Sequence, residues 1–165
     1  MSKYIYFYGH SHMKPYGCFS NFYPAEFKDD DNVLYSSSEQ YLMAQKALLM
    51  QDTESFIKII NTHNPVYCKR FGRKISPWNQ KLWDEHKFNI MFKGLLHKFS
   101  QNTDMMNTLL STDTAILAEA SPRDRIWGIG LSVKDAKKGK YWRGENLLGK
   151  ILMKVRDKLF EEYII

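Results

Sequence analysis

SSSEQYLMAQKALLM, residues Ser36–Met50, is the stretch whose reading decides the fold. Ser36-x-x-Glu39 has the form of a capping box, and the residues after it are mostly good helix formers, which predicts a helix over 37–50. Beyond it, Asp52 or Thr53 caps a second helix with Phe56, Ile59 and Ile60 on one face. Asn64-Pro65 then restarts a short one ending at Gly72. Pro77 interrupts before the longest helical pattern, 79–100, in which Leu82, Trp83, His86, Ile90, Leu95 and Phe99 recur at helical intervals. A capped helix is expected near 104–110. Another should open at Asn146, with Leu147, Leu148, Ile151, Leu152, Val155 and Leu159 as its apolar stripe.

Strand signals flank this helical middle. YIYFYG is dense in aromatic and β-branched residues and reads as a strand, and CFSNFYPAEF leads through the turn KDDDN to VLY, which predicts a hairpin connection. AILAEA and IWGIGLS alternate on either side of Ser-Pro-Arg-Asp-Arg, which predicts two strands about a proline turn, and KDAKKGKYWRGEN reads as a loop. Without regular βαβ alternation the expectation is an α+β fold, mostly helical, with one small mixed sheet in a single domain spanning 1–165.

The chain has 165 residues, 44% of them apolar and 15% aromatic, enough for a packed interior and incompatible with global disorder. Its 24 Lys and Arg against 18 Asp and Glu give +6, which favours an anionic partner without choosing among phosphometabolite, nucleic acid and membrane surface. No apolar run approaches the roughly 18 to 20 residues of a membrane span, and MSKYIYFYGH lacks the features of a signal peptide, so a cytoplasmic protein without a membrane partner is expected. Cys18 and Cys68 are the two cysteines, too few for a disulfide framework. With His10, His12, His63, His86 and His97 they form no zinc-site spacing, so neither metal nor cofactor is expected.

Several residues could carry chemistry. Glu39 and Lys46 are seven residues apart, nearly two helical turns, and share a face about 10 Å long with Met43 between them. A ligand lying there would meet a carboxylate and an amine together. The plainer reading leaves Glu39 closing the capping box and Lys46 in solvent. Leu42, Ala44, Ala47, Leu48 and Leu49 suggest a helix buried on more than one side, and burial would lower the lysine pKa and make the amine a better nucleophile.

In SPRDRIWGIG, Asp124 sits on a turn, and Trp127 beside Gly128 and Gly130 offers a surface for a flat ring, or else a core tryptophan beside a turn former. The Gly-x-Gly is no dinucleotide fingerprint, because the third glycine and the following helix are missing. Lys69, Arg70, Arg73 and Lys74 cluster around Gly72, as a phosphate clamp or as a solvated face. The later KKGKYWRG interleaves cations and aromatics in a way that also suits single strands. His86 and His97 have no identifiable nucleophile partner.

Taken together, FSNFYPAEF, SSEQYLMAQKA, GRKI, WDEHKFNIM, LAEASPRDRIWGIGL and WRGENLLGKILMKVR resemble the successive motifs of the NADAR, or YbiA-like, family, from about Phe7 to Leu159. The order Glu-x(6)-Lys, Asp-x-x-Trp-Gly, Asn-x-Leu-Gly carries the resemblance. It implies a metal-independent N-glycosidase that hydrolyses the C–N bond between ribose and a base or amine. Two substrate classes come with it: phosphoribosylated aminopyrimidine intermediates of riboflavin synthesis, and ADP-ribose attached to guanine in nucleic acid. A catalytically silent ADP-ribose or nucleic-acid binding module is the reading from another class.

Carried over residue by residue, the resemblance implies catalytic roles for Glu39, Lys46 and Asp124 and a stacking role for Trp127. It also implies ligand contacts from Phe19, Asn21, Trp83, Gly128 and Asn146. The basic cluster around Gly72 separately offers Arg70 and Arg73 as candidate phosphate ligands. Ser38 and Gln40 stand where the family often has Thr and His, so Gln40 keeps no ionisable role. Breaking a ribosyl C–N bond builds positive charge on the sugar, which suits a carboxylate, Asp124 or Glu39, that orients water. A Schiff base between Lys46 and ribose C1 is the covalent alternative.

Overall fold

The structure, a computed structural model, describes residues 1–164. The chain forms two compact units, Asn21–Asn102 and the combination of Met1–Ser20 with Thr103–Ile165.

In the 21–102 unit, a hairpin of β1 (Phe27–Lys28) and β2 (Leu34–Tyr35) leads into α1 (Ser38–Leu49), followed by α2 (Thr53–Ile60), α3 (Pro65–Gly72) and α4 (Gln80–Ser100). Asp52 and Asn64 cap α2 and α3 where the sequence suggests, their side chains accepting from Ser55 and Val66 N–H groups, and Asn79 caps α4 by accepting from Leu82 N–H. The cap of α1 is shifted by one residue. Ser37, not Ser36, accepts from Gln40 N–H at 3.1 Å, and Gln40 Oε1 reaches back to Ser36 N–H at 2.8 Å. This reciprocal pair does the work of a capping box and releases Glu39 from it. Gln40 Nε2 also donates to the carbonyls of Ile59, Ile60 and Thr62, tying the end of α2 to α1.

Helix α1 packs against α2, α3 and α4, which explains its buried Leu42, Met43, Ala44 and Ala47. Gly94 of α4 permits the close approach, because a Cβ there would lie 2.2 Å from the Tyr41 ring.

In the other unit, β3 (Tyr4–Phe7) pairs in parallel with β4 (Ile116–Glu119), Tyr4 opposite Ile116 and Phe7 opposite Glu119. The α5 helix (Thr103–Leu110) packs on α7 (Leu147–Tyr163), α7 packs on β4, and α6 (Val133–Lys137) packs on β3. Leu148, Ile151, Leu152, Val155 and Leu159 are buried, matching the expected stripe of the last helix.

The α+β, mostly helical expectation holds, with three corrections. The strands form two separate two-stranded pairs, one antiparallel and one parallel, rather than one mixed sheet. IWGIGLS is not a strand. Asp124 Oδ1 accepts from the N–H groups of Ile126 and Trp127, and Gly130 takes a left-handed φ of 70°, so the alternation of apolar residues occurs in a folded loop. The stretch read as a single loop after Leu131 contains α6, which Ser132 caps by accepting from Asp135 N–H. Among the described residues no helix is long and apolar enough to cross a membrane.

Candidate functional site

Within the 21–102 unit, Glu39 is buried in the first turn of α1 and Lys46 is half-buried in its last. Side chains on a helix lean toward its N-terminus, so a lysine seven residues on extends back along the face that carries Glu39. The two groups interact electrostatically. Burial pushes the Lys46 ammonium below the ordinary lysine range, Glu39 opposes that shift, and the cations Lys69 and Arg73 reinforce it.

Lys46 Nζ lies 5.1 Å from the Trp83 ring centroid and 5.2 Å from that of Trp78. The indoles stand 6.3 Å apart, and Trp78 is fixed by its Nε1–H donating to Gln80 Oε1 at 3.0 Å. A lysine in this setting can serve as a nitrogen nucleophile, and its cationic form is stabilised by two ring faces.

The start of α1 is held from below. Asn21 carbonyl accepts from Glu39 N–H at 2.9 Å, and Asn21 Oδ1 accepts from Ser38 Oγ–H at 2.9 Å. Lys98, fully buried on α4, donates to Ser38 Oγ at 3.4 Å and sits 5.2 Å from the Phe99 ring centroid. Cys68 is a neutral thiol donating to Thr62 carbonyl at 3.1 Å. Burial, and secondarily Glu39, pushes its pKa up to about 11.

Arg73 and Lys69 are exposed, and both act on Lys46 through their charge. Lys69 Nζ lies 5.7 Å from the Phe22 ring, and Arg70 stacks over the exposed Tyr67 at 5.2 Å. The structure therefore brings Glu39, Lys46, Trp83, Arg73 and Asn21 into one region. It draws in Lys69 from the basic cluster and adds Trp78 and Lys98, to which sequence reasoning gave no role. The signal for Lys98 was its position in line with Met91, Leu95 and Phe99, a single lysine inside an otherwise apolar helical stripe.

In the other unit the expected site residues hold a loop together. Asp124 Oδ1 accepts the two N–H groups already described. Trp127 is half-buried, and its carbonyl accepts from Leu148 N–H at 3.1 Å. Asn146, buried with φ 54°, accepts from Glu119 N–H at 3.1 Å and donates to Leu117 carbonyl at 2.9 Å, so its amide secures β4.

Segments 125–129 and 143–148 are joined backbone to backbone, with Arg143, Glu145, Asn146 and Leu147 N–H groups donating to Ile129, Arg125, Gly128 and Ile126 carbonyls. Gly144 is required here, because a Cβ would lie 2.3 Å from Gly128 carbonyl oxygen. Phe19, expected at the ligand, is fully buried between Phe7 and Tyr16, at 5.5 and 5.3 Å between centroids, and packs the core.

Comparison with known proteins bears on this arrangement. The model of the NADAR domain matches residues 6–160. An N-glycosidase of Acanthamoeba polyphaga mimivirus is 42% identical over 163 residues, covering 94% of this chain and 96% of the relative. An N-glycosidase of Nostoc punctiforme is 36% identical over 155 residues, covering 94% and 92%. The NMR structure of the Escherichia coli protein YbiA superposes with a TM-score of 0.79 at 30% identity, covering 99% of this chain and 89% of that one.

Proposed function

The chain belongs to the NADAR family, and from that premise we propose that it is an N-glycosidase breaking a ribosyl C–N bond, with Lys46 as nucleophile and Glu39 as its proton carrier. The observation that carries this reading is one amine, lowered in pKa by burial, coupled to a buried carboxylate and held between two indoles.

Neutral Lys46 Nζ attacks ribose C1, and the C1–N bond breaks with its electron pair going to the base nitrogen. Glu39 takes a proton from the new ammonium and gives it to the departing nitrogen, so the base leaves neutral. The Nζ lone pair then opens the sugar ring, the C1–O4 electrons going to O4, which takes a proton from solvent that is given back when water later adds to C1. The resulting iminium is a cation, which Trp78 and Trp83 stabilise as they stabilise the resting ammonium. Water adds to C1, and loss of the amine returns the sugar and Lys46.

For the substrate, a phosphoribosylated aminopyrimidine is the first reading. Lys69, Arg70 and Arg73 are candidates for holding its phosphate, two of them close enough to influence Lys46. ADP-ribose on guanine in nucleic acid is the second, favoured by the cationic stretch after α6. Purified protein incubated separately with phosphoribosylaminopyrimidine and with an ADP-ribosylated guanine oligonucleotide decides between them. Faster release of free amine in the first tube is the expected result. Preferential release of ADP-ribose in the second reverses the order. Absence of turnover in both leaves only the binding-module reading.

A further inference from the structure

On β3, Ile5 and Phe7 are buried, while Tyr4 and Tyr6, and Tyr8 just past the strand end, occupy the alternate positions about 6.6 Å apart along the chain. Tyr4 and Tyr6 are stacked at 5.8 Å with only 12° between ring planes. Trp142 closes one end of this stripe, edge-on to Tyr4 at 6.3 Å. At the other end, Tyr6, Tyr8 and Tyr16 line a cleft of about 210 Å³ with Lys14 at Tyr8, its Nζ 5.7 Å from that ring. These rings are ordered by one another and still present area to solvent: Tyr4 is 48% exposed, Tyr8 49% and Trp142 37%.

Cations surround them. Residues 134–143, which include most of α6 packed on β3, carry five Lys or Arg against one Asp, a net +4 within a chain of +6. Asp135 is occupied by Lys140 at 3.0 Å. Lys134, Lys137, Lys138 and Arg143 are exposed and make no ion pair among the described residues.

We propose that this face, the tyrosine stripe of β3 with Trp142 and the lysines of the α6 region, binds single-stranded nucleic acid, with bases stacking on the rings and phosphates contacting the cations. Spaced flat rings among distributed positive charges fit a chain of alternating bases and phosphates better than one small anion. A duplex hides its base faces and could offer this surface only its backbone. An anionic bilayer would use the lysines, but residues 134–143 hold no exposed aliphatic side chain to enter hydrocarbon. This proposal concerns binding of unmodified strands and does not depend on which N-ribosyl substrate is cleaved.

The test is fluorescence anisotropy of the full chain with a labelled, unmodified dT15, across a salt series, beside duplex DNA and phosphatidylserine vesicles. Binding that weakens with salt and prefers the single strand is expected. Trp142→Ala and Tyr141→Ala, the latter at a side chain 95% exposed, should each weaken it about tenfold. Joint Lys137→Ala and Lys138→Ala should reduce the salt slope by about 1.4, corresponding to two lost phosphate contacts. Turnover of the small N-ribosyl substrate and the melting temperature should stay unchanged in Tyr141→Ala, which separates this surface from the reaction and from the fold. Absence of dT15 binding at 50 mM salt, equal binding by all variants, or preference for duplex or vesicles overturns the proposal.

Discussion

Glu39 leaves the capping of its helix to Ser37 and Gln40, whereas Asp124 caps its own loop through the N–H groups of Ile126 and Trp127. Both acids are expected at the site from the sequence, yet their surroundings differ. Around α1 the polar groups face one another: carboxylate, amine and two rings interact through side chains, on a helix fixed by packing on three others. Around 121–148 the polar side chains are used by the backbone, with Asn146 bonded to β4 and the two loops joined by main-chain hydrogen bonds. A perturbed pKa points to chemistry only where its group keeps atoms available for a ligand, and Lys46 meets that condition.

The comparison can be broken by substitution. Lys46→Arg keeps the charge between the indoles but removes the nucleophile, so kcat should fall by at least about 10³-fold with the melting temperature little changed. Retained activity would exclude the covalent route. Glu39→Gln should lower kcat by about 10²-fold. It should also move the pH profile in a defined direction. Lys46 must be neutral to attack, so the rate rises with pH through an amine pKa already below the ordinary lysine range. The Glu39 carboxylate raises that pKa, so its loss should shift the rising limb to lower pH. A limb that stays in place or moves upward would separate Glu39 from Lys46.

Changes in the other region should act on stability. Gly144→Ala forces a Cβ against Gly128 carbonyl and should cost about 2 kcal/mol, seen as a lowered denaturation midpoint, while kcat per folded molecule is preserved. The smallest effect belongs to Asp124. Asp124→Asn keeps an acceptor oxygen and should be nearly silent in both stability and rate. Asp124→Ala should cost about 1 kcal/mol. A large loss of kcat in folded Asp124→Asn would restore it to the reaction and erase the contrast.

Much of the architecture is legible from local chemistry. The caps at Asp52 and Asn64 and the stripe of the last helix follow from residues within a few positions of each other, and the structure matches them. The 126–132 loop was not legible, because Ile126, Ile129 and Leu131 alternate well enough for a strand. What prevents one is the side chain of Asp124, the left-handed Gly130 and partners that arrive from residues 143–148. The capping box was one residue out, since three consecutive serines offer three registers and only the reach of Gln40 to the α2 carbonyls selects among them.

At the site, the Glu39 and Lys46 pairing was readable from helical spacing. Trp78 was visible only as a neighbour of a basic cluster, because its place beside Lys46 depends on how α3, the following turn and α4 pack around α1. Lys98 was passed over because a lysine on a long helix ordinarily faces solvent.

Borohydride added during turnover, followed by intact-mass and peptide analysis, tests the central claim most directly. The account predicts a reduced sugar adduct on the peptide carrying Lys46, and no adduct in Lys46→Arg. A fully active enzyme that accumulates no adduct, or one that carries it on a different lysine, would contradict it.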